Sequence, residues 1–229
     1  MRSIAAAPPR VTILTSGIGL GVYLPAVLNH RRLRDMGIEA DVEVLERYFT
    51  AESRAQLALH RRAYRDNFDL ALMAHRMTRD VLHCVERLAL EQLLHTWRCE
   101  GRRRFVVWSG FWLPVLQQYR DSLRGAELNV DICRIDAAVS ASFKVHGDAG
   151  LGAADIWLWN GEERRIVHEL PVLPDEPIPF DQREPRLVVH GGGWGLGTYR
   201  DVLTELESTP YALDVVIFDP DERRSRPND

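Results

Sequence analysis

Hydrophobic and polar residues follow one another along the chain in a regular rhythm. Short apolar runs rich in β-branched residues alternate with longer segments in which apolar residues recur every three or four positions. The first pattern is typical of buried strands and the second of amphipathic helices. The predicted strands cover residues 10–15, 41–46, 68–73, 104–108, 128–139, 186–190 and 213–218. The predicted helices cover residues 25–35, 51–67, 80–97, 113–123 and 198–207. This alternation predicts an α/β fold with a Rossmann-like, mostly parallel sheet and helices on both faces.

Turn-forming residues divide the chain into segments. Residues 155–159 and 165–168 flank Asn160-Gly161, a dipeptide that favours a β-hairpin turn. Five prolines between positions 171 and 185 indicate an extended linker. The predicted organisation is a disordered start at 1–9, a Rossmann-like α/β domain at 10–170, a Pro-rich linker at 171–185, an additional β-α-β unit at 186–218 and a polar tail at 219–229.

Length and composition exclude several classes of protein. The chain has 229 residues, of which 45% are hydrophobic and 27% charged, so it can bury a substantial core. No apolar run approaches the ~20 residues of a membrane span, and residues 1–9 lack the apolar centre of a secretory signal. We therefore expect a cytoplasmic protein. Cys84, Cys99 and Cys133 are an odd number without a CxxC pair, which predicts ordinary thiols rather than disulfides or a zinc site.

The net charge of −4 conceals an asymmetry between the two halves. Residues 1–104 contain 17 basic and 12 acidic side chains, a balance of +5, whereas residues 105–229 contain 12 and 21, a balance of −9. One half is therefore suited to face an anion or an acidic partner. The basic positions lack interleaved aromatic residues, and no known nucleic-acid-binding motif is present in the sequence, so we expect no nucleic-acid binding.

Three strand-to-helix junctions resemble one another. Each carries a small polar or imidazole side chain and glycine where a strand ends, followed by an aromatic residue and a helix start. Glycine lets a ligand approach the backbone, and unpaired amides at a helix N-terminus favour an anion. We expect all three loops on one sheet edge, holding a phosphate or sulfate group. The alternative is that the glycines only form tight turns. The predicted anion-binding residues are Ser16, Gly17, Gly19, Gly21, Ser109, Gly110, Gly191, Gly192, Gly193 and Gly195.

The loops do not fit the known nucleotide-cofactor motifs. A dinucleotide fingerprint, GxGxxG, requires a third glycine, but Val22 occupies that position after Gly17 and Gly19. Arg200 occupies it after Gly195 and Gly197. Glu46, at the end of the second predicted strand, offers only weak support for binding a ribose. The sequence contains no GxxxxGK[ST], HExxH or GxSxG motif. We therefore expect no bound cofactor, no catalytic metal and no α/β-hydrolase chemistry.

Residues 10–48 and 186–218 resemble bacterial glycosyltransferases of the GT-B type, related to enzymes that glycosylate lipid-linked or natural-product acceptors. The resemblance rests on the two longer Gly-rich loops and the turn from Gly21 to Pro25, and it covers about a third of the chain. It implies that the first loop opens an acceptor domain and the second a donor domain. Val22 occupies the position of a histidine that acts as base in many members. Because 44 residues follow Pro185, we expect an incomplete sugar-nucleotide site.

Asp136 and His190 are the predicted catalytic residues. Asp136 is a carboxylate at an otherwise apolar strand end, where burial raises a carboxyl pKa towards that of a useful base. His190 directly ends a strand. The alternatives are a structural cap or an ion pair with Arg134 for Asp136, and a hydrogen-bonded core position for His190. Three aromatic residues beside the loops are predicted to line an apolar substrate pocket, although the core is an equally good interpretation; they are Tyr23, Trp112 and Trp194.

Three hypotheses about function follow. The first is a small bacterial tailoring enzyme of natural-product biosynthesis, in which Gly-rich helix N-termini hold a phosphate or sulfate leaving group while a base promotes elimination, intramolecular displacement or group transfer. The second is the acceptor-binding subunit of a split nucleotide-sugar glycosyltransferase. The third is a non-catalytic scaffold for an enzyme partner. We expect a small-molecule substrate and either a protein partner or a homodimer.

Overall fold

The computed structural model describes the protein as two compact units, residues 1–53 with 79–172 and residues 54–78 with 173–229. Residues 54–78, which sequence analysis places in the first domain, group with the C-terminal unit. The described backbone covers residues 10–66, 82–123, 127–135, 142–143, 150–157, 159–160, 165–166, 180–182, 184, 186–190, 200–210 and 212–216. The predicted strand at 68–73 and the predicted terminal segments at 1–9 and 219–229 lie outside these residues.

A five-stranded sheet forms the centre of the first unit. The strands are β1 (Val11–Thr15), β2 (Ala40–Val44), β3 (Arg104–Val107), β4 (Asn129–Arg134) and β5 (Ala154–Trp157). They lie in the order β2-β1-β3-β4-β5, and every pairing is parallel. All five residues of β1 are buried, as expected for a central strand with both faces covered. The predicted α/β fold with a parallel sheet is confirmed.

The described residues contain four helices of nine residues or more: α1 (Leu20–Asp35), α2 (Ala51–Asp66), α3 (Arg87–Cys99) and α4 (Leu113–Asp121). Most of α2 belongs to the second unit, and the other three helices belong to the first. Local sequence explains several of their ends. The Thr50 hydroxyl accepts the Ser53 N–H at 3.1 Å and caps α2. Pro114 stands in the first turn of α4, where its missing N–H is not needed. Gly37 follows α1 with a φ of 75°, as predicted for a glycine after a helix.

Two helix starts differ from the prediction. α1 begins at Leu20, so Pro25 lies inside the helix and not at its start. α3 begins at Arg87 rather than at residue 80, because the backbone just before it pairs with residues 48–50. The Thr50 N–H donates to the Cys84 carbonyl at 2.9 Å, and the Glu86 N–H donates to the Tyr48 carbonyl at 2.8 Å.

Helices cover both faces of the sheet. On one face Ala26 of α1 packs with Ile13, Trp108 and Cys133. The other face carries an aromatic core in which Trp97 of α3 lies 5.1 Å from the Phe105 ring and 5.4 Å from the Tyr119 ring. All three of these aromatic side chains are buried, and each such pair adds about 1 kcal/mol beyond the burial of apolar area. The aromatic core therefore anchors α3 and α4 to the sheet.

The predicted hairpin is only partly correct. Residues 154–157 form β5, which pairs in parallel with β4 and places Trp157 beside Arg134. Within the predicted hairpin, the antiparallel pair that the structure describes joins β6 (Trp159–Asn160) to β7 (Arg165–Ile166). The Asn160-Gly161 signal thus lies at the end of β6, and residues 161–164 lie outside the described residues.

The C-terminal unit contains the predicted β-α-β arrangement. It consists of β8 (Arg186–His190), α5 (Arg200–Leu206) and β9 (Ala212–Val216), and the two strands are parallel. Arg186 pairs with Asp214 at 3.1 Å and with Glu184 at 3.0 Å. Among the described helices of both units, none is long and apolar enough to cross a membrane.

Candidate functional site

The carboxyl edge of the five-stranded sheet brings two of the glycine-containing loops together. After β1 the chain continues to β2 on one side, and it later returns to β3 on the other side. Open parallel sheets bind ligands at such a reversal, outside the carboxyl ends of the strands. The register aligns Leu14 with Val107, so Ser16 and Ser109, two residues further on, lie on neighbouring strand ends. The Trp112 Nε1–H donates to the Thr15 carbonyl at 2.6 Å and ties the two loops together.

Glu46 closes the first turn of the loop after β1. Its carboxylate accepts a hydrogen bond from the Ser16 hydroxyl and another, of 2.8 Å, from the Gly17 N–H. Ser16 Oγ in turn accepts the Ile18 N–H at 3.2 Å. Ser16 is 1% exposed, and hydrogen bonds to a charged acceptor are strong in such a sheltered place. The first amide of the loop is thus occupied by the protein's own carboxylate, so a ligand anion has to bind further along.

The N-terminus of α1 supplies the next amides of this loop. Gly19 is the N-cap, with extended backbone angles, and no side chain of the described residues caps the helix there. The first turn contains no acidic residue. A Cβ on Gly19 would meet no atom within 4 Å, and one on Gly21 would meet only Ile135 Cδ1 at 3.4 Å. The amides at this end, together with the helix dipole, therefore form an open positive end that favours an oxyanion.

The loop after β3 has a different role. The Gly110 N–H donates to Ser142 Oγ at 3.2 Å. A Cβ on Gly110 would lie 2.6 Å from the backbone of Ser142 and Phe143, so glycine is needed for the close approach of another chain segment. Ser109 is 2% exposed. This loop therefore packs against another chain segment beside the reversal of strand order. The amides that are open to a ligand belong to the loop after β1.

The two described aromatic residues of the predicted pocket lie in different places. Trp112 is fully buried and lies 6.1 Å from the Trp97 ring and 6.0 Å from the Tyr48 ring, so it belongs to the core. Tyr23, in the first turns of α1, is 37% exposed. Tyr23 is thus the described aromatic side chain that is available to a ligand at α1.

Arg134 ends β4 at the same edge of the sheet. Its Nε and Nη2 donate to the Asp155 carboxylate at 2.9 and 3.1 Å. The guanidinium carbon lies 4.8 Å from the centre of the Phe143 ring and 5.2 Å from that of Trp157. Sequence reasoning considered Arg134 only as a partner for Asp136. The sequence feature that could have indicated Arg134 is its position as a charged residue directly after the apolar residues Ile132 and Cys133.

Several predicted site residues cannot be placed at this edge. Asp136 and residues 191–199, with Gly191, Gly192, Gly193, Trp194 and Gly195, lie outside the described residues. His190 ends β8, which pairs with β9 in a sheet of its own. The expectation that all three loops share one sheet edge is therefore wrong for the third loop, because its strand does not belong to the five-stranded sheet.

The chemistry of the described side chains adds two facts. Burial, together with the charge of Asp131, raises the pKa of the Cys133 thiol to about 12, so this thiol is unreactive at neutral pH. Among the described residues, no three His, Cys, Asp or Glu side chains are grouped so that they could hold a metal ion.

No protein family matches the sequence, and no curated protein matches it at a significant level. The chemical argument therefore rests on the carboxyl edge itself.

Proposed function

We propose that this chain is an enzyme that modifies a small molecule and holds the molecule's phosphate or sulfate group on the amides at the start of α1. One observation carries the proposal. The uncapped, glycine-containing N-terminus of α1 coincides with the reversal of strand order between β1 and β3. Either feature alone is common, but together they put an anion-binding helix end at the place where open parallel sheets bind ligands.

The electrostatics of the loop support this role. α1 is 16 residues long, so its N-terminus carries the partial positive charge of a full helix, roughly half an elementary charge. Glu46 fixes Ser16 and Gly17 through hydrogen bonds. The loop therefore needs little rearrangement when negative charge develops on a ligand. Fixed dipoles of this kind lower the barrier for departure of an anionic leaving group.

The proposed reaction is the departure of that phosphate or sulfate group. The leaving oxyanion takes the bonding electron pair and stays on the α1 amides. A base removes a proton from the substrate itself in an elimination, or from an attacking hydroxyl or amine in a displacement or group transfer. Asp136 remains the predicted base for this step. This proposal places the chain among small-molecule tailoring enzymes.

Thermal unfolding with inorganic phosphate tests the binding step. A ligand that binds the native state raises Tm by mass action, so phosphate should raise the Tm of the wild type above that in chloride of equal ionic strength. Gly19→Asp places a carboxylate on the same amides. This variant should gain a few tenths of a kcal/mol from capping and helix-dipole interactions and lose the response to phosphate.

Gly19→Ala is the matched control. The extended backbone of Gly19 accepts any residue, and a Cβ there meets open space. This variant should therefore fold and keep most of the phosphate response. An equal response in wild type and Gly19→Asp, or none in the wild type, would contradict the proposal.

A second candidate is the acceptor-binding subunit of a split glycosyltransferase. It is favoured by the separate C-terminal unit, in which parallel β8 and β9 flank α5, because the GT-B resemblance implies that a donor domain starts there. UDP should then raise Tm in the wild type and in Gly19→Asp, but not in Gly192→Val. Under the first candidate, UDP should act, if at all, only through the α1 loop.

A further inference from the structure

The last turns of α3 present a histidine and a cysteine to solvent. His95 and Cys99 are four residues apart on this helix, and both are exposed. Residues at this spacing are neighbours on the same helix face. The Cys99 Sγ atom lies 3.4 Å from His95 Nε2. The thiol and the imidazole are therefore already in contact, and a solute can reach both of them.

The distance between these two atoms suits a shared zinc ion. Zinc binds cysteine sulfur at about 2.3 Å and histidine nitrogen at about 2.0–2.1 Å, and a tetrahedral angle at the metal then separates sulfur from nitrogen by about 3.5 Å. Sulfur and imidazole donors select zinc, whereas magnesium and calcium take oxygen ligands. Cys99 is also the last residue of α3, where the negative end of the helix dipole favours a cation. Geometry, donor type and helix dipole therefore all favour a zinc ion.

One chain supplies only half of a structural zinc site. Such sites use four protein ligands in a tetrahedron. Within the part of the chain that the structure describes, no three His, Cys, Asp or Glu side chains are grouped for metal binding. A second copy related by a two-fold axis presents the same two side chains again. Two copies together therefore supply a set of two cysteines and two histidines, which is a common structural zinc site.

The same face of α3 carries an exposed leucine. Leu88 precedes His95 by seven residues and Cys99 by eleven, which is close to two and three full helical turns, so the three share one stripe. The side chain of Leu88 is 59% exposed. The buried side of the helix lies opposite and consists of Leu90, Leu93 and Trp97. In a parallel pair of α3 helices about a two-fold axis, Leu88 packs against the partner's Leu88 while zinc joins the other end.

We propose that His95 and Cys99 form half of a zinc site, and that a second copy of this chain completes it as a symmetric centre between two parallel α3 helices. Each thiol loses its proton to the solvent and binds the metal as a thiolate, with no change in oxidation state. The zinc site lies on the side of α3 that faces away from the core, and it is independent of the anion site proposed at α1.

Sedimentation of the full chain with zinc or with EDTA, in a phosphine reductant that keeps the thiols reduced, tests the zinc site. Zinc should tighten self-association by about a hundredfold or more over EDTA, because it binds only the associated form well. Calorimetry should give one zinc ion for every two chains.

Four variants show which residues are responsible. Cys99→Ser and His95→Gln each remove one ligand at an exposed position, so they should fold and should reduce the zinc effect to less than about threefold. Cys84→Ser is the matched control, and it should behave like the wild type. Leu88→Glu should weaken the zinc-dependent dimer by about tenfold, because it places two like charges against each other across the two-fold axis.

The wild type decides the matter even where a variant does not fold. Association of equal strength in zinc and in EDTA, or binding of one zinc ion per chain without association, would overturn the proposal. A zinc-dependent dimer that survives in both Cys99→Ser and His95→Gln would show that the metal binds elsewhere. A dimer that Leu88→Glu leaves equally tight would overturn the parallel arrangement of the two α3 helices.

Discussion

The strands of the five-stranded sheet begin at one edge, the amino edge, and finish at the other, the carboxyl edge. Polar and charged groups are arranged differently at these two edges. At the amino edge, Arg102 is 6% exposed and contacts Asp41 at 3.0 Å and Glu100 at 2.6 Å. It also donates to Thr12 Oγ1 at 3.1 Å, and Arg10 lies 2.6 Å from Asp41. At the carboxyl edge, no side chain of the described residues caps the start of α1.

This difference indicates that the amino edge stabilises the fold and that the carboxyl edge is the one suited to bind a ligand. Charges at the amino edge are paired with one another, so little binding capacity remains there for a ligand. At the carboxyl edge, the amides at the start of α1 are available to an anion. Separation of this kind is expected when ligands bind at the carboxyl ends of parallel strands.

The largest expected effect is at the amino edge. Arg102→Met should destabilise the protein by about 2–3 kcal/mol, because it removes the buried guanidinium that contacts Asp41 and Glu100 and donates to Thr12 Oγ1. Urea unfolding measures the change. Arg87→Met is the control, since Arg87 is 93% exposed in its pair with Glu91 and should cost less than about 0.5 kcal/mol. Similar losses in the two variants would contradict the idea that the amino edge is the stabilising one.

A smaller loss is expected at the carboxyl edge. Glu46→Gln should cost about 1–2 kcal/mol, because a neutral amide oxygen replaces a charged acceptor for the Ser16 hydroxyl and the Gly17 N–H. The phosphate response of Tm should weaken at the same time, since the loop is no longer fixed. Ser16→Ala and the double variant complete a cycle. Strict additivity of the two single losses would show that Glu46 and Ser16 do not act as a pair.

The acid response of the amino edge depends on Asp41. Burial raises the pKa of this carboxyl, but the hydrogen bond from Arg10 and the charge of Arg102 outweigh it, so the pKa lies below its usual value. The folded state thus binds this proton less readily than the unfolded state. The resulting stability is complete above about pH 4, the ordinary value for aspartate, and is lost as pH falls through the lowered folded value.

Asp41→Asn tests this dependence. The variant should be less stable at neutral pH, and its stability should fall less steeply than that of the wild type below about pH 4. Urea unfolding at a series of pH values measures both slopes. The carboxylates of Glu39 and Glu100 lie near the same arginines and remain in the variant, so part of the acid response should persist. Parallel curves for the two proteins would contradict the assignment to Asp41.

Strand positions followed from the sequence because both faces of a central parallel strand are apolar. The run at 10–15 and the observed Val11–Thr15 differ by one residue. Helix starts were harder to predict, because backbone pairing decided one of them. Phe49 and Val85 form an antiparallel bridge, a contact between distant residues that no local periodicity contains.

The candidate site was predicted only in part, because local sequence patterns do not contain contacts between distant residues. The glycine pattern located the loop at residues 16–21, and strand order placed it at the switch point. The pattern also suggested a ligand role for Gly110, whose small size instead makes room for the backbone of Ser142 and Phe143. Arg134 was overlooked because its significance depends on Asp155, which a neighbouring strand brings beside it.

The most direct test of the central claim is a phosphate titration of the ¹⁵N-labelled protein followed by amide NMR. Saturable shifts should appear at Gly19, Leu20 and Gly21, while the amides of Gly37 and Gly101, which lie outside this loop, stay in place. Gly19→Asp should abolish the shifts. Unchanged resonances at the start of α1, or saturable shifts centred on the amino edge, would contradict the account.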